Sequence, residues 1–247
     1  PTRRSSDLFG ADSYGYQDDN IRTQWPWRDW VIHAFNENIP YSTFITWQVA
    51  GDMLPNPTKE EILATGFFRN HKYTEEGGVI PEEYRISYIL DKTKTFGKGI
   101  LGLTVECAQC HDHKYDPISQ KDYYSTFAFF NQVPEKGLFG TIDASFADPP
   151  NMKITTEDVN SILKFINKKD TASVTVMVMR DSSRTRVTRV LKRGVYDQPG
   201  DTVGFSTPPS ILPYDTLKYP KNRLGLAEWL FDEKSGEGMN YPSLKRK

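Results

Sequence analysis

The sequence CAQCHDHKYDP occupies residues 107–117 and contains both cysteines and two of the four histidines of the chain. Its first cysteine, Cys107, together with Cys110 and His111, forms the pattern C-x-x-C-H. Two thiols at this spacing reach the two vinyl groups of one haem, and the adjacent histidine then lies under the iron as an axial ligand. The spacing therefore predicts a covalently attached haem c.

Two other interpretations of these residues stay open. Cys107, Cys110 and His113, with His111 or an aspartate as fourth ligand, have the donor types of a zinc site. Structural zinc, however, normally takes its ligands from two separated pairs. A C-x-x-C pair also occurs as a disulfide or redox dithiol, but such a pair usually precedes a helix of a βαβ unit, a pattern that is absent here. Haem c is thus the favoured cofactor and zinc the alternative.

A haem iron bound by His111 has a sixth coordination position. We expect His71, in a polar segment of the same region, to be the candidate sixth ligand. Methionines are rival candidates, although a single methionine is more often part of a core; they are Met53, Met152, Met177 and Met179. His113 is too near His111 to reach the opposite face of the same iron. It either contacts a second metal or a haem propionate, or it lies in a solvated loop in which Asp116 before Pro117 forms a turn.

Helical patterns flank the motif on both sides. Apolar residues recur at helical spacing over residues 25–54 with a break at Pro40, which predicts two helices. Thr58 begins the capping pattern T-K-E-E, and Ser119 with Asp122 begins another helix. Pro81 suits the first turn of a further helix. The motif is therefore predicted to be a loop between two helices.

The predicted domain organisation follows from these elements. Residues 9–136 are expected to form a helical haem-c-like domain, and residues 137–172, with scattered Gly and Pro, a linker. The segments 173–179 and 186–194 predict two strands, and residues 173–235 the start of a second domain. The expected fold class is mainly α, with the helical domain followed by a small partial α/β or α segment.

Composition excludes several classes of partner. The chain has 31 Lys and Arg against 32 Asp and Glu, with no basic block, so we expect no nucleic-acid partner. No apolar run approaches the roughly 20 residues of a membrane-spanning helix. An acidic cluster is formed by Glu75, Glu76, Glu82 and Glu83. It is either a pair of carboxylates for acid and base chemistry or a solvated turn followed by an acidic first helical turn.

The wider sequence resembles a planctomycete-type cytochrome-c-like family of large exported proteins. The resemblance rests on five segments that occur in order: residues 25–41, 50–55, 64–70, 75–78 and 101–135. The conserved C-terminal partner domain of that family resembles the sequence from VMVMRD at residue 176 onward. Relative to that family, we expect the chain to be truncated at both ends.

The resemblance implies a function and a compartment. It implies a haem c bound by Cys107, Cys110 and His111, in a periplasmic or exported redox or electron-transfer protein. It identifies neither the redox partner nor an extracellular substrate. Two rival functions stay open: a zinc-stabilised interaction module, and an extracellular hydrolytic or carbohydrate-active enzyme that uses the acidic cluster.

Overall fold

The computed structural model describes residues 22–74, 76–138, 147–166 and 173–232. Within these residues it contains seven α-helices and two antiparallel sheets of two strands each. The helices are α1 (Trp25–Asn36), α2 (Tyr41–Ala50), α3 (Lys59–Ala64), α4 (Pro81–Thr95), α5 (Gln120–Phe130), α6 (Thr156–Ser161) and α7 (Arg223–Leu230). The strands are β1 (Asn151–Thr155), β2 (Ser173–Met177), β3 (Thr188–Leu191) and β4 (Pro199–Val203).

The predicted fold class, mainly α with a helical haem-c-like domain, is wrong. The protein is a mixed α/β structure, because each of its sheets is a paired antiparallel unit packed with helices. Strand β1 and helix α6 lie in the segment predicted to be a linker. Strand β4 begins at Pro199. A proline at the first position of an edge strand removes no required hydrogen bond, so it does not prevent pairing.

The chain divides into two compact units. The described residues of 1–84 and 134–180 form the first unit, and those of 85–133 and 181–247 form the second. Each unit is thus built from two separate stretches of chain. The predicted boundaries at residues 136 and 173 refer to domains of the resembled family and stay predictions.

In the first unit, helices α1 and α3 pack against the β1–β2 sheet. The register of this sheet pairs Asn151 with Met177 and Thr155 with Ser173. Residues of β1 alternate between buried and accessible positions, so one face of the strand contributes to the core. The buried core residues of this cluster are Trp27, Trp30, Ala34, Leu63, Ala64, Met152, Ile154, Val159, Leu163, Ile166, Val176 and Val178.

In the second unit, helix α5 is the central element. Every residue from position 123 to position 130 is buried. Phe129 packs edge-on against Phe205 and Tyr214, each with a ring-centroid distance of 5.3 Å. The β3–β4 hairpin also packs on this helix. A helix buried on all sides is a rigid support for the loops that precede it.

Local sequence signals place the helix starts as predicted. Thr58 and Glu61 form a complete capping box at α3, and Ser119 and Asp122 form one at α5. Helix α4 begins at Pro81. The motif at residues 107–117 lies between α4 and α5, which confirms the predicted loop between two helices. Among the described residues, no helix combines the length and apolarity needed to cross a lipid bilayer.

Candidate functional site

The two cysteines lie on one exposed turn, which we call the cysteine turn (residues 106–111). Its first part, Glu106–Gln109, is a single 3-10 turn, and Cys110 follows directly. Both thiols are free and exposed, whereas Ala108 between them is fully buried. The turn is therefore anchored by its middle residue while both sulfur atoms stay accessible to a reactant.

Helix α5 holds the backbone of the cysteine turn in place. The carbonyl oxygen of Gln109 accepts hydrogen bonds from Tyr124 Oη at 3.1 Å and from Gln120 Nε2 at 2.9 Å. Burial raises the pKa of the Tyr124 hydroxyl, so this group stays a proton donor at neutral pH. The backbone between the two cysteines is thus fixed by side chains of a buried helix.

The exposed His111 has its two ring nitrogens in different environments. Its Nδ1 lies 2.7 Å from the carbonyl oxygen of Asp112, and a carbonyl oxygen only accepts, so Nδ1 carries the proton. The neutral ring then bears its lone pair on Nε2, which has no hydrogen-bond partner in the described part of the chain. A histidine held in this tautomer is prepared to bind a metal through Nε2.

The second histidine of the motif, His113, takes part in the structure of its own loop. Its side chain is 8% exposed. Its Nδ1 accepts hydrogen bonds from the backbone N–H groups of Asp116 at 2.8 Å and Tyr115 at 3.3 Å. Only Nε2 is therefore left for the predicted contact with a second metal or a propionate, which stays a prediction.

The candidate sixth ligand, His71, lies in the first unit and is buried. Its Nε2 is 3.0 Å from Oε1 of Glu135, and its Nδ1 is 2.9 Å from the carbonyl oxygen of Lys72. Both nitrogens face oxygen atoms, so the His71 and Glu135 pair holds a proton between them. Binding of iron by His71 would require this contact to open, and the assignment stays a prediction.

His71 belongs to a buried group that we call the arginine cluster: Arg69, His71, Tyr73, Glu135 and Asp148. The guanidinium of Arg69 is fully buried, and its Nε lies 2.6 Å from Oε1 of Glu135, although the N–H does not point along that line. Its Nη2 donates to Tyr73 Oη at 2.9 Å, and the Tyr73 hydroxyl in turn donates to Oδ2 of Asp148 at 3.0 Å.

Arg69 also binds three backbone carbonyl groups. Its Nη1 donates to the carbonyl oxygens of Pro150 at 2.8 Å and Val178 at 2.9 Å, and its Nη2 donates to that of Asp148 at 3.0 Å. Burial alone lowers the pKa of Arg69, but Tyr73, Glu135 and Asp148 outweigh it and raise the pKa. One guanidinium thus joins chain segments that are distant in sequence.

Asp148 is the titratable member of this cluster. Burial raises its pKa from 3.8 to about 6, against the lowering effect of Arg69 and Tyr73, and the nearby Glu135 raises it further. Its Oδ1 is buried with no hydrogen-bond partner in the described residues. The carboxylate form is therefore only partly satisfied, which favours the neutral acid.

The acidic cluster does not form a site in the described residues. Glu75 lies outside them, and Glu76 is half-buried. Glu82 and Glu83 are exposed in the first turn of α4, where the helix dipole favours negative charge. In the described ranges, no group of three or more His, Cys, Asp or Glu side chains is placed to hold a metal ion. The alternative of a zinc site at Cys107, Cys110 and His113, with His111 or an aspartate, stays a prediction.

Comparison with known families finds a match over residues 6–135 to PSCyt2, described as a protein of unknown function (DUF1549). The match covers more than half of the 247 residues. The chain belongs to the PSCyt2 family. This finding agrees with the planctomycete-type resemblance, while the cytochrome-c-like character stays a prediction. No curated protein and no solved structure matches the chain.

Whether this PSCyt2 protein could hold a haem can be judged from the residues around the cysteine turn. The exposed thiols and the free Nε2 of His111 fit covalent attachment at the surface. A small apolar pocket nearby encloses about the space of one water molecule, far less than a haem needs. It is lined by Thr93, Phe96, Gly97, Leu101, Val105, Ile118, Tyr123, Thr126 and Pro208. The donor set thus fits, and a bound group would lie largely outside this pocket.

Several important residues of this PSCyt2 chain were not singled out from the sequence. Arg69 stands in ATGFFRN and Glu135 ends the segment 101–135, so both lie in stretches that carry the family resemblance. Nothing in the sequence around Asp148 marks it as a partner of Arg69. Gly194, discussed below, lies in a segment that the sequence indicated only as β-rich.

Proposed function

We propose that this PSCyt2 protein binds one haem c through Cys107 and Cys110, with His111 Nε2 as the axial ligand. The observation that carries the proposal is the state of the cysteine turn: two exposed free thiols at attachment spacing beside a histidine whose Nδ1 proton is held by a carbonyl group.

The residues around the turn have distinct roles in this proposal. Cys107 and Cys110 hold the group covalently, and the Asp112 carbonyl orients the His111 ring so that Nε2 faces outward as a ligand. Tyr124 fixes the backbone between the two sulfur atoms. When bound, haem supplies a one-electron redox centre, which suits electron transfer or redox chemistry on an external substrate.

The proposal also assigns a compartment. Haem c is attached where thiols are handled outside the cytosol, so the chain belongs to a periplasmic or exported protein under this proposal. The two rival functions have less support. The zinc module normally takes its ligands from two separated pairs, whereas the candidate ligands here all lie within residues 107–113. The hydrolytic enzyme needs paired carboxylates, but Glu82 and Glu83 are exposed in the first turn of α4.

The test is expression of the full chain, with an export signal, in a bacterial host that carries a cytochrome c maturation system. We expect a haem-stained band on denaturing electrophoresis and one haem per chain by the pyridine haemochrome assay. Replacing both cysteines with serine removes the stained band, because no thioether is then formed. His111→Ala keeps covalent haem but changes the spin state of the iron.

His33→Gln is the matched control, since His33 is a half-buried histidine of the first unit that stacks on Phe165. His33→Gln is expected to leave the haem-stained band and the absorption spectrum unchanged. Colourless protein from the maturation host, or protein with one zinc ion per chain, would overturn the proposal.

A further inference from the structure

The turn of the β3–β4 hairpin lies directly against the second cysteine. Gly194 in this turn has a φ of 74°, in the left-handed region. A Cβ atom built at Gly194 would stand 2.9 Å from Sγ of Cys110 and 3.0 Å from Nε2 of Gln109. Real Cβ atoms essentially never approach another atom as closely as 2.9 Å, so the Cys110 sulfur lies where a side chain at residue 194 would need space.

Hydrogen bonds keep the hairpin in this position. Gln120 Nε2 donates both to the carbonyl oxygen of Gln109, at 2.9 Å, and to that of Leu191 in β3, at 3.1 Å. One amide of helix α5 therefore joins the cysteine turn to the end of strand β3. At the other end of β3, Asn131 Nδ2 donates to Thr188 Oγ1 at 2.9 Å.

We propose that the β3–β4 hairpin forms part of the cysteine site and that Gly194 is a positioning residue for Cys110. A side chain at residue 194 would displace the Cys110 sulfur, so the glycine keeps this thiol in its exposed position. Part of the site therefore lies outside residues 6–135, the stretch that matches the family. The nature of the bonded group rests on the proposed function, but the placement of the thiol does not.

The chemistry requires such an exposed position. In thioether formation, the thiol adds across a carbon–carbon double bond: the S–H bond breaks, an S–C bond forms, and the hydrogen goes to the neighbouring carbon. Electrons balance without an oxidant. The sulfur exchanges a hydrogen for a much larger substituent, so the position of the sulfur matters more for the thioether than for the free thiol.

The first experiment uses thiol alkylation and needs no haem. In a Cys107→Ser background of the full chain, the rate at which iodoacetamide and a bulky maleimide modify Cys110 is measured with and without a side chain at position 194. Gly194→Asn is the main variant, because asparagine tolerates the left-handed conformation and keeps the fold while adding a Cβ. We expect several-fold slower modification of Cys110, with the larger loss for the maleimide.

Gly102→Asn is the matched control. Gly102 also lies in the second unit with a positive φ, 69°, but a Cβ there would meet nothing within 4 Å. It leaves the Cys110 rate unchanged. In a Cys110→Ser background, Gly194→Asn leaves the Cys107 rate unchanged. An unaltered Cys110 rate in Gly194→Asn, or equal slowing of both cysteines, would overturn the proposal.

The second experiment measures attachment in the maturation host. Gly194→Asn is expected to retain haem through Cys107 alone, which shifts the pyridine haemochrome band, whereas Gly102→Asn retains two thioethers. Two intact thioethers in Gly194→Asn would overturn the positioning role. If the unsubstituted chain takes up no haem, the proposed function fails, and the alkylation rates still decide the role of Gly194.

Discussion

The cysteine turn and the arginine cluster are both rich in polar atoms, but the turn exposes them to solvent whereas the cluster buries them. The turn buries only Ala108 and exposes its thiols and its free imidazole nitrogen. The cluster buries a guanidinium, two carboxylates, an imidazole and a phenol. Exposed reactive atoms are suited to a reaction with something outside the chain. Buried charges instead require every partner to be present, so changes there affect stability first.

The largest expected effect comes from Arg69→Met in the arginine cluster. The substitution leaves Glu135 and Asp148 buried without their cation, which typically costs about 3–5 kcal/mol. Urea unfolding followed by tryptophan fluorescence reports this loss, since Trp25, Trp27, Trp30 and Trp47 all lie in the first unit.

The control for this prediction comes from the cysteine turn. His111→Ala changes an exposed side chain, so the expected effect is within about 0.5 kcal/mol. Comparable losses in the free energy of unfolding for Arg69→Met and His111→Ala would show that the two regions do not differ in their contribution to stability.

The next effect is a pH dependence of the stability of the arginine cluster. Folding raises the pKa of Asp148 from 3.8 to about 6, so the folded protein binds this proton more tightly than the unfolded chain. The resulting stabilisation is fully present below pH 4 and is lost as the pH rises through 6. It amounts to at most about 3 kcal/mol, at 1.36 kcal/mol for each pKa unit.

Asp148→Asn tests this dependence by comparison with the parent chain at pH 5 and pH 7.5. Relative to the parent, the variant has a more favourable free energy of unfolding at pH 7.5 than at pH 5, because the parent carries a buried charge at pH 7.5. Asn keeps an acceptor for the Tyr73 hydroxyl at both pH values. Asp201→Asn, at an exposed position in β4, is the control. Its free energy of unfolding is expected to differ from that of the parent by the same amount at both pH values. A pH-independent difference for Asp148→Asn would show that the carboxyl group is ionised without cost.

The smallest effect separates two adjacent tyrosines of α5, of which Tyr124 hydrogen-bonds to the cysteine turn. Tyr124→Phe removes the hydrogen bond to the Gln109 carbonyl and costs about 0.5–1.5 kcal/mol. Tyr123→Phe removes a hydroxyl that is buried without a hydrogen-bond partner in the described residues, so it is neutral or stabilising. The protection of the α5 amides against hydrogen exchange reports the effect of each substitution. Equal protection in the two variants would show that Tyr124 does not anchor the turn.

Features that depend on near neighbours in sequence could be predicted. The capping boxes at Thr58 and Ser119 involve residues only three positions apart, and the structure contains both. The C-x-x-C-H spacing likewise identified the turn with two accessible thiols. In each case the interaction that decides the structure lies within one helical turn.

Features that depend on distant residues could not be predicted. Strand β1 forms because residues 151–155 pair with 173–177, and without that partner its short apolar alternation was interpreted as linker. Arg69 binds groups at residues 135, 148, 150 and 178, all at least 66 positions away. The sequence around Arg69 contains the cation, but it does not show which distant groups bind the buried guanidinium.

The contact between Gly194 and Cys110 also has a consequence for biosynthesis. Chains are made at roughly 5–20 residues per second, so the hairpin emerges from the ribosome roughly 4–16 s after the cysteines. During that interval the growing chain carries both thiols without the backbone that later borders one of them. An enzyme that modifies the cysteines during synthesis therefore meets two equivalent thiols, whereas one that acts on the completed chain meets two different ones.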